Sequence, residues 1–251
     1  MKEQSNLPHT QTALTGKTVV VLGGSSGIGL ATAKAAAAAG ANVIIASSNQ
    51  QRIDNALKAL PPHSKGYAVN LTDEKQVADL FGKIGSIDHL VFTAGENLKI
   101  AALEEIGVAD ARDFFNLRYW GAFMAVKYAA PHMSTTGSIV LTSGIAAHRP
   151  PGKGWALGAS ICSAMEGFAR ALAVELAPIR VNIVSPGFVR TNLWDNIAAP
   201  ERENLYNTVG NSLLVKRVGQ AEDIAPTYLY LMQQPFSTGQ CIVADGGGML
   251  V

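Results

Sequence analysis

Seven residues, Gly23-Gly24-Ser25-Ser26-Gly27-Ile28-Gly29, stand between a β-branched run and an alanine-rich stretch. Their types and spacing suit the binding of a pyrophosphate. Glycines allow a tight turn and a close approach of the backbone to its ligand, and the amides that open the following helix point at the anion. A lone glycine cluster also serves ordinary loops. The dinucleotide reading rests on context, because here the cluster follows a strand pattern and opens a helix pattern. Gly23, Ser25, Ser26 and Ile28 are therefore expected to hold the cofactor.

The end of the next β-branched run reads Ala46-Ser47-Ser48-Asn49-Gln50-Gln51-Arg52. Sites that take NAD(H) usually place Asp or Glu here to hold the ribose hydroxyls, and this chain has neither. The Ser47 and Ser48 hydroxyls, the Asn49 amide and the Arg52 guanidinium can bind a 2′-phosphate instead. Ser and Asn also cap helices well, and a helix is expected from about residue 50, so both roles stand together. The missing acid favours NADP(H) over NAD(H).

These groups need a frame. Strands are expected at 18–22, 42–46, 66–70, 89–93, 138–142, 180–184 and 241–244, each apolar on both faces. Helices are expected at 27–39, 50–60, 74–83, 109–130, 156–177 and 221–232. Strands buried on both sides and alternating with helices specify an α/β Rossmann fold: a doubly wound, seven-stranded parallel sheet in a single domain. The domain is expected over residues 14–251, after a flexible leader at 1–13 and with a substrate lid around 192–214.

Composition excludes several partners. A net charge of +1 with no basic stripe argues against nucleic acid. The two cysteines, Cys162 and Cys241, show no Cys-x-x-Cys spacing, so neither a disulfide framework nor a metal is expected. The polar N-terminal stretch lacks a signal-type apolar core, and no run reaches the ~18 uninterrupted apolar residues of a membrane span. A soluble, cytoplasmic protein is expected.

Longer motifs match a family. They are Asp88-His89-Leu90-Val91-Phe92-Thr93-Ala94-Gly95, Gly137-Ser138-Ile139-Val140, Ala171-Leu172-Ala173-Val174-Glu175-Leu176-Ala177 and Arg180-Val181-Asn182-Ile183-Val184-Ser185-Pro186-Gly187, followed by Gly219-Gln220-Ala221-Glu222-Asp223-Ile224, Thr238-Gly239-Gln240 and Asp245-Gly246-Gly247. With these the chain resembles the short-chain dehydrogenase/reductase family over residues 14–247. The resemblance implies that Ala94 and Gly95 border the adenosine side and that Asn70 and Leu71 contact the adenine. It also implies that Pro186, Gly187, Val189 and Thr191 hold the carboxamide and pyrophosphate, and that the 109–130 and 156–177 helices build a homodimer or homotetramer.

The chain departs from the family where protons move. Members carry Asn, Ser, Tyr and Lys, with the tyrosine as general acid kept acidic by the lysine. No Tyr-x-x-x-Lys occurs here. Alignment on the neighbouring motifs puts Gly158 at the tyrosine position, Cys162 at the lysine, Gly144 at the serine and Arg118 at the asparagine.

Arg118 and Ser143 are the catalytic candidates. A guanidinium at 118 can meet a carboxylate or carbonyl oxygen in the nicotinamide pocket, or it can pair with Asp110 or Asp113 on its own helix. Ser143 falls at the carboxyl edge of the sheet, where ligands bind, or it caps a loop. Trp155, His148 and Lys153 share one loop and offer a substrate wall and a replacement acid, against simple packing. Cys162 reads as a small buried filler. The expected function is an NADP(H)-dependent reductase with an altered site, acting on an imine, iminium or activated carbonyl of a small apolar or aromatic substrate. The alternative is a non-redox use of the same fold as scaffold, sensor, isomerase or cyclase.

Overall fold

The computed structural model describes residues 14–98 and 100–251, so the leader expected at 1–13 lies outside them. Among the described residues, seven parallel strands form one sheet. They are β1 (Thr18–Leu22), β2 (Asn42–Ser47), β3 (Lys65–Ala68), β4 (Ile87–Phe92), β5 (Met133–Thr142), β6 (Arg180–Pro186) and β9 (Cys241–Ala244), in the order β3-β2-β1-β4-β5-β6-β9. β7 (Val189–Arg190) and β8 (Gly219–Gln220) make a separate two-residue ladder.

Strand residues alternate between two cores because successive side chains leave a strand on opposite faces. Val20, Leu22, Leu90, Phe92, Ile139 and Leu141 face one side. There they meet α3 (Glu74–Ile84), α5 (Ala122–Ala129) and α6 (Ala156–Glu175). Val19, Val21, Val91, Val140 and Val184 face the other, under α1 (Gly27–Ala38) and α8 (Ala221–Gln233). Ala33 and Ala36 are fully buried in α1; their small side chains let this helix lie close to the sheet. α6 is, by length and composition, apolar enough to cross a membrane, yet Met165, Ala169 and Leu172 commit one of its faces to the sheet.

Three expectations need correction. β3 is not apolar on both faces: Lys65 and Ala68 are exposed, as suits a strand at the edge of the sheet. The helix expected over 109–130 is interrupted, running as α4 (Val108–Phe115), a π-helical turn (Asn116–Gly121) and α5. Its wider turn bulges the backbone at Arg118, and such bulges concentrate at functional sites. α2 (Gln50–Leu57) ends before residue 60. The segment expected as a lid, 192–214, contains a 3-10 turn (Asn192–Trp194) and α7 (Ala199–Ser212).

β4 and β5 are tied inside the sheet by a buried polar pair, His89 Nδ1 and Ser138 Oγ at 2.8 Å. Burial pulls the His89 pKa down to about 4, against the attraction of Asp88 and with added repulsion from Arg180 and Lys17. The imidazole is thus neutral in the fold and takes a proton near pH 6.5 only when unfolded. Below that pH the unfolded chain binds more protons, so stability falls with falling pH until about 4, a loss of up to ~3 kcal/mol. His89→Gln should flatten this part of the curve, as urea denaturation between pH 4 and pH 7 would reveal.

Candidate active site

The glycine turn lies at the carboxyl edge between β1 and β4, where the strand order reverses and such sheets bind ligands. Thr93 seals the junction: its amide and its hydroxyl both donate to the Leu22 carbonyl, at 2.8 and 3.0 Å. Gly23 has φ +84°, and a Cβ there would stand 2.6 Å from the Ala94 amide nitrogen. No side chain fits. Ser26 precedes α1 in an extended conformation without capping the helix through its side chain, and the first turn carries no acid. The α1 amides thus face outward with neither a capping side chain nor an anionic neighbour from the first turn, which fits a diphosphate.

Ser25 Oγ donates to Ser47 Oγ at 2.9 Å, joining this turn to the end of β2. Asn49 is the α2 cap and accepts from the Arg52 amide at 2.9 Å. The capping role is therefore realised for its side-chain oxygen. Ser48, Asn49 and Arg52 remain exposed around the turn. Asn70 is exposed and its side-chain oxygen accepts from the Thr72 amide and hydroxyl, while Leu71 is buried in the core. On the other side, Thr191 comes within 3.4 Å of the place a Gly27 Cβ would take. The strand end at Pro186, the Gly187 turn and buried Val189 lead the chain to that position. A Cβ on Gly187 would meet Asp245 at 2.6 Å, which explains the need for glycine at this crossing.

Two of the four positions where the chain departs from the family pattern, Arg118 and Cys162, meet beside this cradle. A cavity of about 60 Å³ is lined by Thr93, Ala94, Arg118, Ser143, Ile161 and Cys162, among others. Arg118 bends inward: it donates to the Glu96 carbonyl and lies 5.5 Å from the Phe114 ring centroid, with Nε buried and unpaired. Burial lowers its pKa, opposed by Glu96 and Cys162. A Cβ at Gly95 would fall 2.7 Å from Arg118 Nη1, so the guanidinium occupies the room that this glycine leaves. Ser143 Oγ is within 3.1 Å of both the Cys162 carbonyl and Glu166 Oε1. Having one proton, it donates to one of these at a time, and the expected loop-capping role is replaced by a tie to α6. Burial raises the Cys162 thiol pKa, which keeps the sulfur a neutral filler.

Two relations escaped the sequence. The Trp155 ring stands 3.1 Å from where a Gly158 Cβ would be, and Cys162 Sγ stands 3.3 Å from where a Gly144 Cβ would be. Trp155 also joins Leu98, Phe188, Leu193 and Ile197 around buried Trp194, Tyr206 and Val218. Phe188 and Trp194 stack at 4.2 Å. This apolar roof ties the 155 loop to the 192–214 segment. Lys153 pairs with Glu104 on the exposed side, at 2.7 Å.

Fold and site together define a nicotinamide-dinucleotide oxidoreductase of Rossmann type. The family described as an SDR-like Rossmann domain matches residues 11–251, and the chain belongs to the short-chain dehydrogenase/reductase family. It is 37% identical over 261 residues to the short-chain dehydrogenase/reductase ucsE of an Acremonium species, covering 96% of this chain and 98% of that one. Among solved structures it is similar to a small-chain dehydrogenase in complex with NADPH, with TM-score 0.83, 36% identity and coverage of 94% of this chain and 99% of that one. It is also similar to the MalC reductase/Diels-Alderase of Malbranchea aurantiaca, with TM-score 0.89, 29% identity and coverage of 97% and 100%.

Gly95→Ala should expel the Arg118 guanidinium and destabilise the fold by about 1–3 kcal/mol. Adding Arg118→Ala should recover part of that loss. Strict additivity of the two changes in urea denaturation would show that the residues do not share this space.

Proposed function

We propose that this protein is an NADP(H)-dependent reductase of a small apolar or aromatic substrate whose acceptor carbon is already cationic or strongly activated. The observation that carries the reading is the replacement of the family's acid: position 158 holds glycine, and the Trp155 ring stands against it. The dinucleotide supplies hydride when bound. This chain's residues supply position and electrostatics.

Gly23, Ser25, Ser26 and Ile28 seat the pyrophosphate at the α1 terminus, with Pro186, Gly187, Val189 and Thr191 closing from the opposite side. Ser47, Ser48, Asn49 and Arg52 receive the 2′-phosphate, and Ala94 and Gly95 floor the pocket. The similar small-chain dehydrogenase solved in complex with NADPH supports the same choice of cofactor. Asn70 and Leu71 contact the adenine, Leu71 through its backbone because its side chain is buried.

Arg118 holds a carbonyl or carboxylate oxygen of the substrate, satisfying its unpaired Nε. A guanidinium beside a bare iminium would repel it, so the favoured substrate carries such an oxygen near the cationic carbon. An iminium needs no proton on oxygen as hydride arrives, which makes loss of the tyrosine tolerable. Ser143 orients the wall through Cys162 and Glu166. The aromatic roof around Trp155, Phe188 and Trp194 excludes water and selects flat apolar groups. Trp120, Phe123 and Val174 are exposed on the helical face around α5 and α6, which supports a homodimer or homotetramer built there.

A second reading has one specific support: the similar Malbranchea protein is described as both reductase and Diels-Alderase. A roof that holds flat apolar groups also suits ring closure without hydride transfer.

Calorimetry should give NADPH binding at least ~10-fold tighter than NADH, narrowed by Arg52→Ala. Equal affinities would remove the 2′-phosphate assignment. With NADPH bound, a cyclic aryl iminium salt should be reduced and the corresponding aryl ketone reduced ~100- to 10,000-fold more slowly. Arg118→Met should lower turnover of an oxygen-bearing iminium and leave NADPH affinity intact. Binding of NADPH without oxidation by any acceptor would favour the non-redox reading.

A further inference from the structure

Outside the dinucleotide cradle and the Arg118 pocket, the fold gathers three ligand-type side chains from distant elements. His148 follows the 3-10 turn Ile145–Ala147, Glu166 lies in α6, and Cys241 opens β9. One donor atom from each lies within 4.8 Å of the other two. His148 Nε2 and Glu166 Oε2 are 2.8 Å apart.

The environment is graded in a useful way. The Glu166 side chain is 4% exposed and the His148 side chain 46%, so the cluster has a buried anionic floor and a solvent-side entrance. Glu166 Oε1 is occupied by Ser143 Oγ from the end of β5. Its other oxygen faces the His148 imidazole and the Cys241 thiol, and the Arg170 guanidinium, one turn further along α6, acts on Cys241 from outside the cluster. Burial first, and the Glu166 charge second, push the Cys241 thiol up to about 12. Ser185 Oγ is buried without a hydrogen-bond partner and stands close enough to Cys241 to favour its thiolate. A cation among these atoms would offset the carboxylate and draw the proton from the thiol.

We propose that His148 Nε2, Glu166 Oε2 and Cys241 Sγ form a site for one divalent cation of borderline softness, zinc, with its fourth position open to solvent beside His148. One nitrogen, one oxygen and one sulfur suit zinc at its tetrahedral distances and disfavour magnesium or calcium, which prefer shells of oxygen. On binding, the Cys241 thiol loses its proton to solvent, and the hydrogen bond between His148 and Glu166 gives way to two bonds to the metal. Sequence spacing alone gives no expectation of a metal, because these ligands sit on three separate elements and no short spacing could announce them. Since Glu166 also holds Ser143, the cation would brace the wall of the adjoining pocket.

The test needs no substrate and stands apart from the reductase reading. Tag-free, chelator-treated protein is titrated with cobalt(II) and then with zinc(II). The expected result is one equivalent of cobalt with a thiolate-to-metal charge-transfer band in the near ultraviolet, displaced by zinc. Cys241→Ser should abolish that band, and Cys162→Ser should keep it. His148→Asn, at a half-exposed position, should weaken zinc by more than the ~10- to 100-fold that loss of an outer partner costs. Absence of the band in the unaltered protein, or its survival in Cys241→Ser, would overturn the site.

Discussion

The backbone of the first βα turn passes so close to the end of β4 that Gly23 has no room for a side chain, its Cβ position lying 2.6 Å from the Ala94 nitrogen. Thr93 locks that approach with two hydrogen bonds to Leu22. Everything at the carboxyl edge follows from this contact. It sets where α1 begins, and so where its amides point. It also fixes Ala94 and Gly95 beneath the pocket and leaves the volume into which Arg118 folds. Buried polar pairs such as His89 with Ser138 and Tyr228 with Thr142 hold β4, β5 and α8 in the arrangement that this edge requires. Each is costly if broken, because a buried donor would lose its partner.

Around this fixed edge the altered positions behave as exchanges of volume. Gly95 leaves the space Arg118 fills, Trp155 stands against Gly158, and Cys162 faces Gly144. Packing at native density couples each of these positions to its neighbour, because a void or a clash at any one of them costs on the order of 1 kcal/mol or more. The sequence carries no Tyr-x-x-x-Lys, and the wall at these positions is well filled.

Much of the frame was legible in the residues. Val19 to Leu22 could only be a strand covered on both faces, and the glycines between Gly23 and Gly29 had meaning because of the strand before them and the alanine helix behind. Strand β3 departs from the two-faced apolar pattern because an edge strand needs burial on fewer sides, and Lys65 and Ala68 are free to be exposed. The π turn at Asn116–Gly121 left no local mark, since wide and normal turns accept the same residues. Glu166 carried an unread signal: an acid in the apolar middle of a helix, among Ala164, Met165 and Phe168, is poorly explained by solvent and asks for buried partners.

By itself, the sequence determined the parallel sheet, the glycine turn after β1, the absence of an acid at the end of β2 and the absence of a Tyr-x-x-x-Lys motif, because each depends on periodicity or on a short contiguous motif. Only the tertiary structure decided that Arg118 turns inward beneath Gly95, that Ser143 is tied to Glu166, that Trp155 stands against Gly158, and that His148, Glu166 and Cys241 share one point in space. Those relations join residues from different elements. They are set by how helices and loops settle on the sheet, which no local pattern records.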